Sequence, residues 1–421
     1  MEASGTSGER SFAAPGTTAH LSAAPVIIRP KKEAACRQSE DGGDERVTND
    51  AELLRDGENA FPEIVSRIRS AERSVEINMF IWRDDEIGRT LAAELLRAAD
   101  RGVRVSIVKD RYGVSCEYGE EAQRSLFHPR ISPGERAAVW ALEFLYNRDL
   151  LGREHAGRPS PLLDELKRHP NVTLQAEEKR YDHSKYFIFD DKIVILGGVN
   201  IEDKENGADR AGRRYRDYMV KLCGGRYVSA LRARLRGELS DGSGMFAVNI
   251  KRPKRVFEIE DRYLKLIGAA EEELTILMAY MAPVRSVMRA LEDAARRGVR
   301  IRLLLPARAN FIDDLNHAAA ARLLRLADKY GANIKIFLSP DMTHTKLLMS
   351  EKRISVGSCN IMRNAFHTLN ELNYEAPNDD SPFAAAVRES VKELIADAAE
   401  VRGAGEIRYR RGMALLERSL M

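Results

Sequence analysis

The chain has 421 residues, 44% of them hydrophobic, which is enough for one large bilobed unit or two domains with separate cores. Its 67 basic and 64 acidic residues leave a formal net charge of +3, so overall charge argues against a nucleic-acid-binding protein. No apolar run approaches the ~20 residues that a transmembrane helix needs, and the start of the chain lacks the apolar stretch of a secretory signal.

Residues 1–48 are rich in Ala, Gly, Ser, Thr and charge, and are expected to form a disordered extension. A first lobe is expected over 49–240. It opens with "FPEIVSRIRSA", where Phe61, Ile64, Val65 and Ile68 fall at helical spacing. The apolar strand "VEINMFIW" follows, then a helix with Leu91, Leu95, Ala98 and Ala99 on one stripe. Gly102 suits the left-handed position that ends such a helix, and "VRVSIVKD" reads as the next strand. Residues 118–158 include "FHPRISPGERAAVWALEFLYNRDLLGREH", with helical pieces bearing Trp140, Phe144 and Tyr146. The hairpin "HSKYFIFDDKIVILGGVN" comes next, its apolar strands joined by Asp190, Asp191 and Lys192. "RRYRDYMVKL", with Asp217, closes the lobe.

A second lobe is expected over 241–402, because the pattern repeats. "RAADRGVRVSIVKD" in the first half resembles "DAARRGVRIRLLLP" in the second, with Gly298 in the place of Gly102. "HTKLLMSEKRISVGSCN" repeats the hairpin, and "HTLNELNYEA", with Glu371, repeats the closing segment. From Gly102 to His183 is 81 residues, and from Gly298 to His344 only 46. The first lobe therefore holds about 35 extra residues, either a lid or a peripheral helix pair. Pro382 opens a last core-facing helix. Residues 403–421 read as a basic tail, apolar enough to lie on an anionic surface.

The four cysteines, Cys36, Cys116, Cys223 and Cys359, are far apart and form no C-x-x-C, so reduced thiols are expected. The chemistry lies in the duplicated motif. His183, Lys185 and Asn200 recur as His344, Lys346 and Asn360. A lysine suits a phosphate oxygen, an asparagine amide donates to the same oxygens, and histidine serves as nucleophile or general acid. Two such sets facing each other suit in-line phosphoryl transfer without a metal. Each histidine needs a partner to fix its tautomer. Asp217 and Glu371 are the candidates, each expected beside the histidine of its own half.

The sequence resembles the phospholipase D superfamily, and within it the bacterial cardiolipin synthase branch. The family motif His-x-Lys-x₄-Asp-x₆-Gly-[Gly/Ser]-x-Asn is met at every position by His183, Lys185, Asp190, Gly197, Gly198 and Asn200. The second copy departs from it: Glu351 stands where the family has Asp, and the span to Asn360 is one residue shorter. That predicts a different second hairpin turn.

The resemblance implies an α/β fold of two similar lobes, each a mixed β-sheet flanked by helices, related by pseudo-twofold symmetry. The active site would lie between them. It implies a catalytic set of His183, Lys185, Asp190, Asn200, Asp217, His344, Lys346, Asn360 and Glu371. Lys185, Lys346, Asn200, Asn360, Gly198 and Ser358 would bind substrate. His183 would attack the phosphodiester and His344 would act as acid and base. Neither metal nor other cofactor is implied. The expected partner is a phospholipid such as phosphatidylglycerol, met by a cytoplasmic protein peripheral to the membrane. Hydrolysis of phospholipids and a nuclease activity are the alternatives, nucleic acid being disfavoured by the near-neutral charge.

Overall fold

A computed structural model describes residues 50–119, 124–146, 160–209, 212–238, 244–252 and 255–420. The expected N-terminal extension and part of the 118–158 insert lie outside these residues. Two mixed β-sheets form the frame. The first runs, edge to edge, Ala51–Arg55, Tyr218–Cys223, Ile193–Gly197, Lys185–Phe189, Ser74–Met79, Arg104–Lys109 and Val172–Gln175. The second repeats that order with Phe246–Ile250, Glu371–Pro377, Arg353–Gly357, Lys346–Ser350, Glu273–Met278, Arg300–Pro306 and Ile334–Ser339. It adds Val256–Phe257 at one edge and Ala399–Val401 at the other. In each lobe the strands joined through helices pair in parallel and the hairpin strands pair antiparallel.

Strand periodicity divides the side chains between two layers. Phe187, Phe189 and Ile195 turn toward the helices Asp56–Ser70 and Glu86–Asp100. Ile188, Val194 and Leu196 turn the other way, into a core shared with Leu347, Met349, Ile354 and Val356 of the second sheet. Leu348, Leu274 and Ile276 in turn face the second lobe's own helices. The central strands are therefore apolar on both faces, as their unbroken hydrophobic runs require. The helix-ending glycines sit as expected, with φ of +93° at Gly102 and +87° at Gly298.

The two hairpin turns differ. Asp190 and Asp191 both take left-handed φ, +51° and +58°, in the first. The Asp190 carboxylate accepts from the amides of Glu72, Arg73 and Ser74 at 2.7–3.0 Å. In the tighter second turn Glu351 accepts from the amides of Glu271 and Glu273, at 2.9 and 3.2 Å. The longer side chain thus does the same work from a shorter loop. Asp190 is structural: it sits at the end of its strand remote from His183 and binds no group of the site, which corrects its place in the catalytic set.

The expected basic tail, 403–421, includes the helix Arg411–Leu420, packed on Asp313–Tyr330. There the Glu417 carboxylate accepts the Leu315 amide at 2.7 Å, and Arg410 pairs with Asp314 at 2.8 Å. Cys223 is disulfide-bonded rather than a free thiol, whereas Cys116 and Cys359 are free.

The first motif glycine of each half closes a strand against its neighbour. A Cβ at Gly197 would lie 2.1 Å from the Tyr218 carbonyl oxygen, and one at Gly357 2.2 Å from that of Leu372. Gly197→Ala and Gly357→Ala should each lower stability by about 3 kcal/mol. Urea unfolding of each variant would measure this, and Gly134→Ala, where a Cβ meets nothing within 4 Å, is the control.

Candidate active site

Each histidine stands two residues before the first residue of its hairpin's first strand, where a backbone rung from the opposite lobe holds it. The His183 amide donates to the Asn370 carbonyl at 2.9 Å, and the Asn370 amide to that of Tyr181 at 2.7 Å. The His344 amide donates to the Arg216 carbonyl at 2.8 Å. Tyr215–Arg216 also pairs in parallel with Met342–Thr343. Asn370 and Arg216 immediately precede Glu371 and Asp217, so the rungs deliver each carboxylate to the histidine of the other lobe.

The side chains follow. His183 Nδ1 lies 3.1 Å from both oxygens of Glu371, and His344 Nδ1 lies 2.8 Å from Asp217 Oδ2. The expectation that each carboxylate serves its own half is overturned. The physical reason is strand geometry. Each carboxylate opens a strand that borders its own hairpin, but its side chain points across the interface toward the opposite motif.

Gly198 and Ser358, expected to bind substrate, instead make room for these carboxylates. A Cβ at Gly198 would fall 2.3 Å from Asp217 Oδ2. Ser358 Oγ is buried and donates to Glu371 Oε2 at 2.5 Å. Lys185 and Lys346 are buried, and each ammonium folds back on the carbonyl of its own histidine, Lys185 at 2.5 Å. Lys346 Nζ is also 3.5 Å from Asp217 Oδ2. Asn200 and Asn360 line the space in front of the histidines. The amide oxygen of Asn200 has no hydrogen-bond partner among the described residues, and that of Asn360 accepts the Tyr280 amide at 3.3 Å.

That space is a cavity of about 420 Å³ with His183, His344, Asn200, Asn360 and Glu371 in its wall. The remaining wall is largely apolar, with Phe80, Ile81, Phe311, Ile312, Met362 and Leu369 among its residues. Ala138, Ala141, Leu142 and Leu145 join them from the insert helix Pro133–Leu145. The insert therefore walls the site and is not peripheral. Four residues escaped the sequence reading. Phe80 sets its ring edge-on to His183 at 4.8 Å, and Tyr280 and Tyr215 lie near His344 at 6.2 and 6.0 Å between centroids. Glu205 is buried 3.5 Å from His344 Nδ1, and neither of its carboxylate oxygens has a hydrogen-bond partner among the described residues. The signal for Glu205 was the acidic cluster 202–205 directly after Asn200, in a place where a solvated loop would be expected.

Burial and the two ammonium groups hold both imidazoles well below their ordinary value of 6.5. Burial also lowers both lysines and raises Asp217, Glu371 and Glu205. An incoming phosphodiester anion favours the charged ammonium forms and so reverses the shift of the lysines. Glu205, Asp217 and His344 bring donor atoms within 4.8 Å of one another, the closest approach to a metal-binding group among the described residues. The Lys346 ammonium beside Asp217 disfavours a cation there.

The chain is similar to known proteins in sequence and in fold. A family described as "Cardiolipin synthase, PLD-like domain" matches residues 64–211 and 263–395, about two thirds of the chain. The chain is 24% identical to cardiolipin synthase B of Salmonella typhi over 340 residues, covering 75% of this chain and 73% of that protein. It is 26% identical to a cardiolipin synthase of Staphylococcus aureus (strain N315) over 345 residues, 76% of this chain and 62% of that one. Among solved structures, the fold resembles the phosphatidylserine synthase of Haemophilus influenzae Rd KW20. The TM-score is 0.63 at 12% identity, covering 88% of this chain and 92% of that one. It also resembles a polyphosphate kinase of Porphyromonas gingivalis, with a TM-score of 0.52 at 12% identity, covering 89% and 53%.

The crossed pairing has a direct test. Glu371→Gln should cost about ten-thousandfold in phosphodiester turnover, as loss of the group that fixes a histidine tautomer does. Combining it with His183→Ala should cost no more than His183→Ala alone, whereas pairing within each lobe would couple Glu371 to His344. Ser358→Ala should cost about tenfold, the worth of one hydrogen bond to a charged group.

Proposed function

The chain belongs to the phospholipase D-like domain family of cardiolipin synthase, and within this class of phosphatidyltransferases we propose that it makes cardiolipin or a closely related phospholipid through a phosphohistidine. The observation that carries the reading is the pairing of two carboxylate-held imidazoles with an apolar-walled cavity. Acyl chains suit such a wall, whereas nucleic-acid grooves are basic.

The residues divide the work as follows. His183, its Nδ1 proton held by Glu371, attacks phosphorus with Nε2. The N–P bond forms as the P–O bond to glycerol breaks, and the leaving oxygen takes its proton from His344. The glycerol hydroxyl of a second phosphatidylglycerol then gives its proton to His344 and attacks phosphorus, and the N–P bond breaks. Lys185, Lys346, Asn200 and Asn360 bind the phosphate oxygens throughout. Two features support His344 as the acid. It has two carboxylates near Nδ1, Asp217 and Glu205, which when ionised oppose the lowering of its pKa by burial and the ammonium groups. Glu371, by contrast, shares its charge with the Ser358 hydroxyl. A lipid substrate implies contact with a membrane surface. No described helix is long and apolar enough to cross a membrane, so that contact is peripheral in this reading.

Purified protein with phosphatidylglycerol vesicles should yield cardiolipin and glycerol, read by mass spectrometry, equally with and without EDTA. His183→Ala and His344→Ala should each abolish it. Phosphatidic acid as sole product would replace transfer by hydrolysis, and no lipid product would sink the reading. The pH profile supplies a second check. A nucleophile whose pKa lies below 6.5 stays neutral as pH falls through that value. His344, the acid of this step, is also held below 6.5, so single-turnover formation of the phosphoenzyme should rise as pH falls through 6.5 and decline only well below it, where His183 protonates.

A further inference from the structure

We propose that the insert helix Pro133–Leu145 seats the cavity mouth on an anionic lipid bilayer, with Trp140 and Phe144 as the side chains that enter it. This deepens the phosphatidyltransferase reading and rests on it for the choice of lipid.

The helix has three faces with three different fates. Ala138, Ala141, Leu142 and Leu145 line the catalytic cavity. Glu135, Val139 and Glu143 are buried and fix the helix to the lobe. Glu135 takes Arg111 at 2.9 Å, and Val139 packs with Val114, Tyr118 and Ile131. The third face carries Trp140 and Phe144, 60% and 64% exposed, their rings stacked 5.5 Å apart on successive turns. A capping box at Ser132 and Glu135 makes the helix start rigid, so the pair is presented rather than left on a loose loop.

An exposed stacked Trp and Phe on a firmly anchored helix is costly in water and suits the interfacial layer of a bilayer. The position argues for lipid over protein. Acyl chains that leave a bilayer for the cavity would pass along the same helix, so the outer apolar face is continuous with the inner one. The other exposed large apolar side chains among the described residues are Tyr112, Leu415 and Leu416. Tyr112 lines the cavity. Leu415 and Leu416 lie on the last helix, which packs on Asp313–Tyr330, the helix that begins directly after the cavity residues Phe311 and Ile312. Exposed arginines accompany these elements: Arg136 on the insert helix, Arg308 before Phe311, and Arg411 and Arg418 on the last helix. Apolar side chains among arginines complement an anionic headgroup layer.

The chain holds two tryptophans, and Trp82 is fully buried, so a change in emission on binding reports on Trp140. Full-length protein would be titrated with vesicles of phosphatidylcholine alone and of phosphatidylcholine with phosphatidylglycerol. The expected result is a blue shift with the anionic vesicles, quenching by brominated acyl chains, and loss of both in Trp140→Phe. Phe144→Ser should weaken vesicle sedimentation about tenfold while leaving turnover of a dispersed short-chain phosphatidylglycerol unchanged. Sedimentation with an unmoved emission spectrum, or Trp140→Ser/Phe144→Ser binding as the parent does, would overturn the proposal. Equal binding to neutral vesicles would overturn its anionic part. Docking through Trp140 without lipid turnover in any form would remove the phosphatidyltransferase reading and leave the surface. Turnover with no Trp140 response would do the reverse. Thermal melts of the variants exclude misfolding as the cause.

Discussion

The backbone rungs between His183 and Asn370, and between His344 and Arg216, are the constraint on which the site depends. Each joins the residue that performs chemistry in one lobe to the residue next to a carboxylate in the other. The shared core of Ile188, Leu196, Leu347 and Val356 presses the two sheets together, and the rungs fix their register. Once that register is set, Glu371 can reach only His183 and Asp217 only His344. The interface is thus the catalytic centre itself, not a surface on which a preformed centre happens to lie.

The same register explains why so much charge is buried at one place. Two ammonium groups, three carboxylates and the His344 imidazole are buried, with His183 partly so, which is costly unless each charge meets a partner. The lysines meet the carbonyls of their own histidines, Glu371 meets Ser358, and Asp217 meets the Tyr218 amide at 2.8 Å. Glu205 has no such partner among the described residues, and its pKa rises accordingly. Burial pushes Glu205 and Glu371 towards the neutral acid, Glu371 up to about 8, so the two ammonium groups are left to meet an anion, which is the electrostatic condition for binding a phosphodiester.

Much of this was legible in the sequence. The repeat around Gly102 and Gly298 pointed to two lobes, the duplicated hairpin to both histidines, lysines and asparagines, and the β-branched and aromatic residues of 186–189 and 193–196 to the two hairpin strands. The crossing of Asp217 and Glu371 was not legible. Spacing along the chain places each carboxylate near its own motif, and only the docking of two sheets decides which way the side chain points. The roles of Gly198 and Ser358 were misread for a related reason. A small residue beside a phosphate site suggests close approach of the ligand, but here the close neighbour is a carboxylate two strands away in sequence. Asp190 was read both ways, and its three amide partners at the far end of the hairpin make it structural.

Both halves of the site travel on one polypeptide, and that has a consequence for how the halves behave. A site assembled from two separate copies would fall apart on dilution and would have to be identical on its two sides. Tethering removes the first penalty, because the effective concentration of one lobe near the other is fixed by the chain. It also lifts the second restriction. One lobe carries Asp opposite Gly and the other Glu opposite Ser, and only one lobe has acquired a helix over the cavity. A duplicated half is free to specialise in this way, provided that every change on one side is tolerated by the histidine it serves on the other.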